Sequence, residues 1–162
     1  MSVRRAVSGD EAIVRAVRLR ALADAPDAFE STLEFEAGMT PEDWSRRIAK
    51  WATFLYEPAG HSKGIVAAVP YDGEPGAILL VSMWVEPTVR GSGAADALVA
   101  AVLDWAKSQG AREVVLHVGK GNGRARSFYR KMGFRDSGHA FVSERTGIEE
   151  VEMRHPLRAQ TP

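Results

Sequence analysis

The chain has 162 residues, near the commonest size for one domain, and its 45% hydrophobic and 26% charged residues are a globular composition. Disorder as the main state is excluded, and residues 1–162 are expected to form a single domain. Lys+Arg and Asp+Glu both number 21, so the formal net charge is zero and no long-range field draws the whole protein to nucleic acid or anionic lipid. With no cysteine, a disulfide scaffold, a thiol nucleophile and a Cys-based metal centre are excluded.

No apolar stretch approaches the roughly 18 residues of a membrane span, and the longest, Gly76 to Val85, has strand length. Met1-Ser-Val-Arg-Arg runs into a charged helical pattern and not into a signal-peptide core, so a cytoplasmic protein with no membrane partner is expected. Val3 to Val7 reads as a first strand. Ser8 with Glu11 three residues on forms a capping box that opens a helix, with Ile13, Val14, Val17 and Leu22 on its apolar side and Pro26 as its stop. Asp27 to Met39 has no clean period and reads as loop with a turn of helix. Thr40, Pro41 and Asp43 repeat the start signal, and Trp44, Ile48 and Trp51 supply the buried stripe of a second helix. The period then changes. Thr53 to Glu57 and Lys63 to Val69 are strands joined by the Pro58 to Ser62 turn, and after the Tyr71 to Gly76 turn cluster Ala77 to Val85 is a nearly continuous apolar run, as a strand covered on both faces requires. Pro87 ends it.

Gly93 to Gln109 reads as a helix, with Leu98, Val99, Val102, Leu103 and Trp105 inward and Gly110 as its C-terminal cap; Glu113 to Val118 is the next strand. Strand, helix, strand is a right-handed crossover, which makes the two strands parallel. Asn122 to Met132 is a further helix, with Ala125, Phe128 and Met132 inward and Gly133 as its cap. Ser137 to Val142 and Glu149 to Leu157 are expected to close the chain as a hairpin, and Arg158 to Pro162 to fray.

The segment Val85 to Ala95 is a glycine-rich turn between a buried strand and a helix N-terminus. Gly91 and Gly93 permit close backbone approach and positive φ, and the free N–H groups of the helix's first turn suit a phosphate or pyrophosphate. An ordinary tight strand-to-helix turn is the plainer account of the same residues. A Walker A loop needs Gly-Lys-Ser/Thr, which is absent. The dinucleotide pattern fails too, because Asp96 stands where the third small residue belongs and the following strand ends in Val118-Gly119-Lys120 without its acidic residue.

Read as R-x-x-G-x-A over Arg90, Gly93 and Ala95, this turn resembles the GNAT superfamily of acyl-CoA-dependent N-acyltransferases. A second motif follows beyond one strand: Asn122 to Phe134 is similar to the N-x-x-A-x-x-F-Y-x-x-x-G-F signature of that family, and the element order agrees over nearly the whole chain. The resemblance implies an α/β fold with a mixed, mostly antiparallel sheet of six to seven strands, a central splayed parallel pair and about four helices. It implies acetyl-CoA as co-substrate, with the backbone of Trp84 and Val85 against the pantetheine arm and the turn of Arg90, Gly91, Ser92, Gly93, Ala94 and Ala95 on the pyrophosphate. Asn122 is carried over as a pantetheine contact, although it serves equally as a helix cap, and Phe128 beside it, although core packing alone accounts for Phe128 and Met132. Tyr129 becomes the general acid for the departing thiolate, and Asp24 to Met39 with Ser143 to Gly147 flank the acceptor.

The implied function is an N-acetyltransferase moving acetyl from acetyl-CoA to a primary amine; the alternative is a non-catalytic acyl-CoA-binding or regulatory domain. Presenting an alkylamine neutral at pH 7 costs roughly 4.6 kcal/mol, so a base is needed. The central strand reads Leu79-Leu80-Val81-Ser82, without the glutamate some members carry there. Glu86 at the strand's end is the first candidate base, followed by Glu34, Glu36 and His117, the last more simply a satisfied core histidine; the oxyanion would be met by N–H near Val85. No metal is expected, because His61, His139 and His155 have no carboxylate at ligand spacing. Ser82 and Ser127 lack a His/Asp pattern. The Arg-rich helix, Arg124 to Lys131, is read as a solvated face or a coenzyme A phosphate contact and not as a nucleic-acid surface. A monomer or homodimer fits equally.

Overall fold

The computed structural model describes residues 2–157; the tail expected to fray, Arg158 to Pro162, lies outside the described residues. Around the apolar run of β4 (Ala77–Val85) the chain lays β1 (Val3–Arg5), β2 (Ala52–Tyr56), β3 (Gly64–Pro70), β5 (Glu113–Gly119), β6 (Arg135–Val142) and β7 (Glu149–Pro156) into one sheet of order β1-β2-β3-β4-β5-β7-β6. Every neighbouring pair is antiparallel except β4 with β5. The mostly antiparallel sheet with its central parallel pair is the expected fold.

Both faces of β4 are covered. Helix α4 (Ala94–Ser108) buries Leu98, Val99 and Val102 against one face, together with Phe54, Val66, Leu80 and Leu116. On the other, α1 (Glu11–Asp24) and α3 (Pro41–Lys50) bury Val14, Val17, Leu22, Trp44 and Ile48 against Leu55, Ile65 and Trp84. Each fully buried aliphatic side chain contributes on the order of 1.5–3 kcal/mol. The capping box of α3 forms as read: Asp43 N–H donates to Thr40 Oγ1 (3.1 Å) and Thr40 N–H to Asp43 Oδ2 (2.8 Å). Helix α5 (Gly123–Lys131) follows β5.

The first helix starts later than the sequence suggests. Asp10, not Ser8, sits at its N-terminus, because the Asp10 carboxylate already takes the Val7 N–H (2.8 Å) and the Arg4 guanidinium (2.8 and 3.1 Å), a stronger set of partners than a serine hydroxyl finds. Glu11 bonds the Gly9 N–H instead of closing a box with Ser8. The shift leaves Ile13 39% exposed, off the apolar stripe. Strand β1 stops at Arg5, and Trp51 caps α3 without being fully buried. The aperiodic segment holds a 3-10 turn at Pro26–Ala28 and a fifth short helix, α2 (Leu33–Ala37), capped by Thr32 Oγ1, which accepts from the Phe35 N–H (3.1 Å). The terminal hairpin is present with its later strand, β7, inserted between β5 and β6.

The parallel pair is short. β4 and β5 are in register only from Ala77 to Leu79 opposite Glu113 to Val115, after which both strands continue apart. The cause lies on the other side of β4: Ala67 faces Val81 but Ile65 faces Trp84, so β4 carries one extra residue there, a bulge at Ser82 and Met83. Ser82 takes φ 62°, a left-handed conformation uncommon outside glycine, and its hydroxyl accepts from Arg18 Nη1 (2.9 Å). A bulge bends its strand, and here the bend opens a gap beside β5.

Candidate active site

The gap runs into a cleft of about 1470 Å³, larger than the 300–1,000 Å³ typical of sites for a drug-sized ligand. Its floor is apolar, with Leu79, Val81 and Leu116, and the bulge residues Ser82 and Met83 line it. Glu86 N–H donates to the Lys63 carbonyl (2.8 Å) and the Trp84 carbonyl lies against Gly64, so both residues turn their polar groups toward β3. Strand alternation then turns those of Val85 toward the side β5 has left. Of the two backbones read as cofactor contacts, Val85 therefore lies on the open edge and Trp84 does not. The Trp84 indole is buried on the α1 side and donates to Asp24 Oδ2 (2.9 Å).

At the end of β4 the chain makes a 3-10 turn, Pro87–Val89, and enters α4 through Gly91 (φ 79°) and Gly93 (φ 90°), with Gly93 as the N-terminal cap. Buried Ala94, with no side chain beyond Cβ, lets α4 start close against the sheet. Among the described residues the backbone N–H groups from Gly91 to Asp96 have no acceptor, while the Ser92 hydroxyl is turned back to the Val89 carbonyl. These N–H groups and the helix dipole make the turn suited to an anion. Arg90 is not free to join them: its Nε donates to the Val85 carbonyl (2.9 Å) and its Nη2 to Asp24 (2.9 Å).

Tyr129 on α5 lines the cleft and is 8% exposed, its ring packed against Phe128 (centroids 5.3 Å) and Phe134 (5.8 Å). Its hydroxyl has no hydrogen-bond partner among the described residues, and burial pushes the phenol well above its ordinary value. It therefore stays a proton donor at any working pH. Asn122 makes the cap, its Oδ1 accepting from the Ala125 N–H (3.2 Å), and it also lines the cleft. Phe128 packs against the core beside Tyr129.

The candidate bases divide. Glu86 does not line the cleft; Thr88, Lys63 (3.3 Å) and Arg20 (3.5 Å) surround its carboxylate and hold it below the ordinary value, so it is neither placed nor basic enough for the work. Glu34 is exposed on α2. Glu36 lines the cleft but is a poor base: burial alone would raise its carboxyl, yet the Arg18 and Arg47 guanidiniums outweigh burial and hold it at about 2. His117 differs from these three. It faces the cleft from β5, and burial lowers its imidazole below the ordinary value, keeping it neutral near pH 7. Tyr71 donates its hydroxyl to Glu152 (2.9 Å), so the Tyr71 oxygen is left to accept from His117 Nε2 (3.2 Å), and that tautomer leaves Nδ1 as the free acceptor. Glu152, 3.8 Å from Nε2, would steady an imidazolium.

Sequence reasoning missed Tyr71, Glu152 and Glu150. Glu150 on β7 and Glu30 line the cleft; burial and the nearby Glu30 raise the Glu150 carboxyl to about 6, and Ser143 donates to Glu30 (3.2 Å). The alternation of Glu150, Glu152 and Arg154 along β7 was the available signal, because it puts three charges on one face of an inner strand.

Comparison with known proteins identifies the family. Residues 20–134 match the model of the Acetyltransferase (GNAT) family. The rat protein N-acetyltransferase family 8 member 2 is 42% identical over 93 residues, 56% of this chain and 41% of its own length; the chain spans about half the length of the curated relatives it matches. A GNAT-family acetyltransferase from Streptococcus pneumoniae superimposes with a TM-score of 0.78 at 21% identity, covering 96% of this chain and 98% of that one. The PaiA N-acetyltransferase of Thermoplasma acidophilum, solved with coenzyme A, superimposes with a TM-score of 0.72 at 15% identity, covering 97% and 100%. By the family model, which covers both sequence motifs from Arg90 to Phe134, this chain belongs to the acetyltransferase (GNAT) family.

Proposed function

We propose that this protein transfers an acetyl group from acetyl-CoA directly to a primary amine. The observation that carries the reading is the run of β4 out of its pairing with β5: its edge is left open toward Val85, the N–H groups of the Gly91 to Asp96 turn that follows have no acceptor among the described residues, and Tyr129 lines the cleft on the β5 side. The donor fits those residues, since a pyrophosphate suits the turn and an extended amide-bearing arm suits an open strand edge. When bound, acetyl-CoA supplies the acetyl thioester.

The residues of the chain do the rest. His117 takes a proton from the acceptor ammonium on Nδ1, which exposes the nitrogen lone pair that forms the new C–N bond. The Val85 N–H holds the negative charge that develops on the carbonyl oxygen. As the C–S bond breaks, its electron pair leaves with sulfur, and Tyr129 gives the thiolate its proton and recovers one from solvent. The second proton of the attacking nitrogen also leaves to solvent, so the products are amide and free thiol. The test is release of coenzyme A thiol when protein and acetyl-CoA are given a panel of primary amines, with the acetylated product identified by mass. Tight coenzyme A binding without thiol release on any amine would overturn the catalytic reading in favour of an acyl-CoA-binding domain.

A further inference from the structure

The wall of the cleft built by α1, α2 and α3 carries an unbalanced charge. Arg18 (5% exposed) reaches Glu36 (0% exposed) through Nε at 2.8 Å and Nη2 at 3.0 Å, and Arg47 Nη1 reaches the same carboxylate at 2.8 Å. Two guanidiniums thus share one carboxylate, and neither has a second ion-pair partner among the described residues. Both are fixed in place. Arg18 lies over the Phe29 ring (4.8 Å) and bonds Ser82, whereas Arg47 sits between Trp44 (4.9 Å) and Trp51 (4.6 Å). Of the five N–H donors on each guanidinium, Arg18 spends three, on Glu36 twice and Ser82 once, and Arg47 two, on Glu36 and Met39 Sδ. The rest have no acceptor among the described residues. Lys50 lines the same cleft, also without an ion-pair partner among them.

An excess buried cation is costly unless an anion completes it. This one faces a cleft, and its planar donors match a carboxylate. Across the β4–β5 gap, over β5 and β7, the cleft is of opposite sign, lined by Glu30, Glu150 and the neutral His117. Apolar Val69, Leu79 and Val81 also line the cleft and would take an apolar side chain.

We propose that the acceptor is an amine that also carries a carboxylate, a free amino acid with an apolar side chain. Its carboxylate lies on the Arg18, Arg47 and Lys50 wall, and its ammonium points to Glu30, Glu150 and His117 at the gap. The proposal rests on the acetyltransferase reading of the site and gives that reading a substrate class. It disfavours polyamines and basic peptides, which would bring cations to an already cationic wall.

The test compares leucine, methionine and phenylalanine with leucinamide, methioninamide and phenylalaninamide, in turnover and in calorimetric titration of the protein saturated with coenzyme A. The free acids are expected to bind, and to be acetylated, at least about tenfold better than their amides. The α-amines of the amides are less basic than those of the free acids, so amine protonation alone would favour the amides. Arg47→Gln and the exposed Lys50→Gln are both expected to move the acid-to-amide ratio toward one, and Lys50→Gln keeps the test open should Arg47→Gln fail to fold. Equal affinity for acid and amide, no binding of any free amino acid, or an unchanged ratio in a folded Arg47→Gln protein overturns the proposal. Turnover of amides alone would sink the proposal and leave the acetyltransferase reading standing; preferential binding of the acids without any thiol release would do the reverse.

Discussion

Tyr129→Phe separates packing from chemistry more cleanly than any other single change. The ring contacts with Phe128 and Phe134 survive in phenylalanine, and the lost hydroxyl has no partner among the described residues, so no group is orphaned. The hydroxyl is not among the buried polar atoms left without a partner, so its removal relieves no desolvation penalty, and the variant is expected to match the parent within about 0.5 kcal/mol in urea melts. Chemistry is not spared. A general acid is worth about 10²–10⁴-fold, and a thiol leaving group of pKa near 8.5 draws on the low end of that range. The expected fall is at least about tenfold, or ~1.4 kcal/mol of barrier. The assay is single-turnover thiol release, where product release does not mask the chemical step, with coenzyme A affinity measured separately and expected within about twofold of the parent. Burial raises the phenol, so the parent rate should not decline through Tyr129 ionisation below about pH 10. A Phe variant with the full single-turnover rate would refute the acid role and reduce Tyr129 to a packing residue.

Gly93→Val places a β-branched residue at φ 90°, which costs about 1–2 kcal/mol and swings the first-turn N–H groups of α4; calorimetry should show coenzyme A affinity down at least about tenfold in a still-folded protein. Arg90→Ala should cost far less affinity in the same titration, because that side chain is already committed to Asp24 and the Val85 carbonyl. His117→Gln should remove the acid limb of the kcat/KM profile, which in the parent rises as the imidazole deprotonates, with its midpoint below the ordinary histidine value of 6.5. Glu36→Gln leaves two guanidiniums buried without a counter-charge and should lower stability by about 3–5 kcal/mol in urea melts at pH 7. In the parent the Glu36 carboxyl is depressed from 4.5 to about 2, so its stabilisation is complete above pH 4.5 and lost as pH falls toward 2; the variant should be flatter through that window.

What could be read from sequence was carried by local signals. The apolar run of β4 has the same bounds in sequence and structure because a strand between two packed layers is marked by apolar residues at successive positions, even though Leu79 and Val81 to Met83 are only half-buried where they line the cleft. The Thr40-Pro41-Glu42-Asp43 start and the Asn122 cap closed as read, since each is settled within four residues. The Ser8 box failed because a residue outside the window, Arg4, anchors Asp10 and moves the helix start. Glu86 failed for a comparable reason. Its position at the strand's end was right, but Lys63 and Arg20, distant in sequence, neutralise it on the far side of β4.

The charges that shape the acceptor side lay beyond any sequence window. Arg18 and Glu36 are 18 residues apart, Glu36 and Arg47 are 11 apart on separate helices, and Arg18 and Ser82 are 64 apart. Nothing at Ser82 announces a bulge either, because the usual mark of positive φ is glycine and serine stands there. Arg18 joins the two features: Nη1 holds the bulged serine in its left-handed conformation while Nε and Nη2 hold Glu36. The bend that parts β4 from β5 and the cationic wall facing the acceptor are therefore tied to one guanidinium. Neither is visible until the fold brings α1, α2, α3 and β4 together.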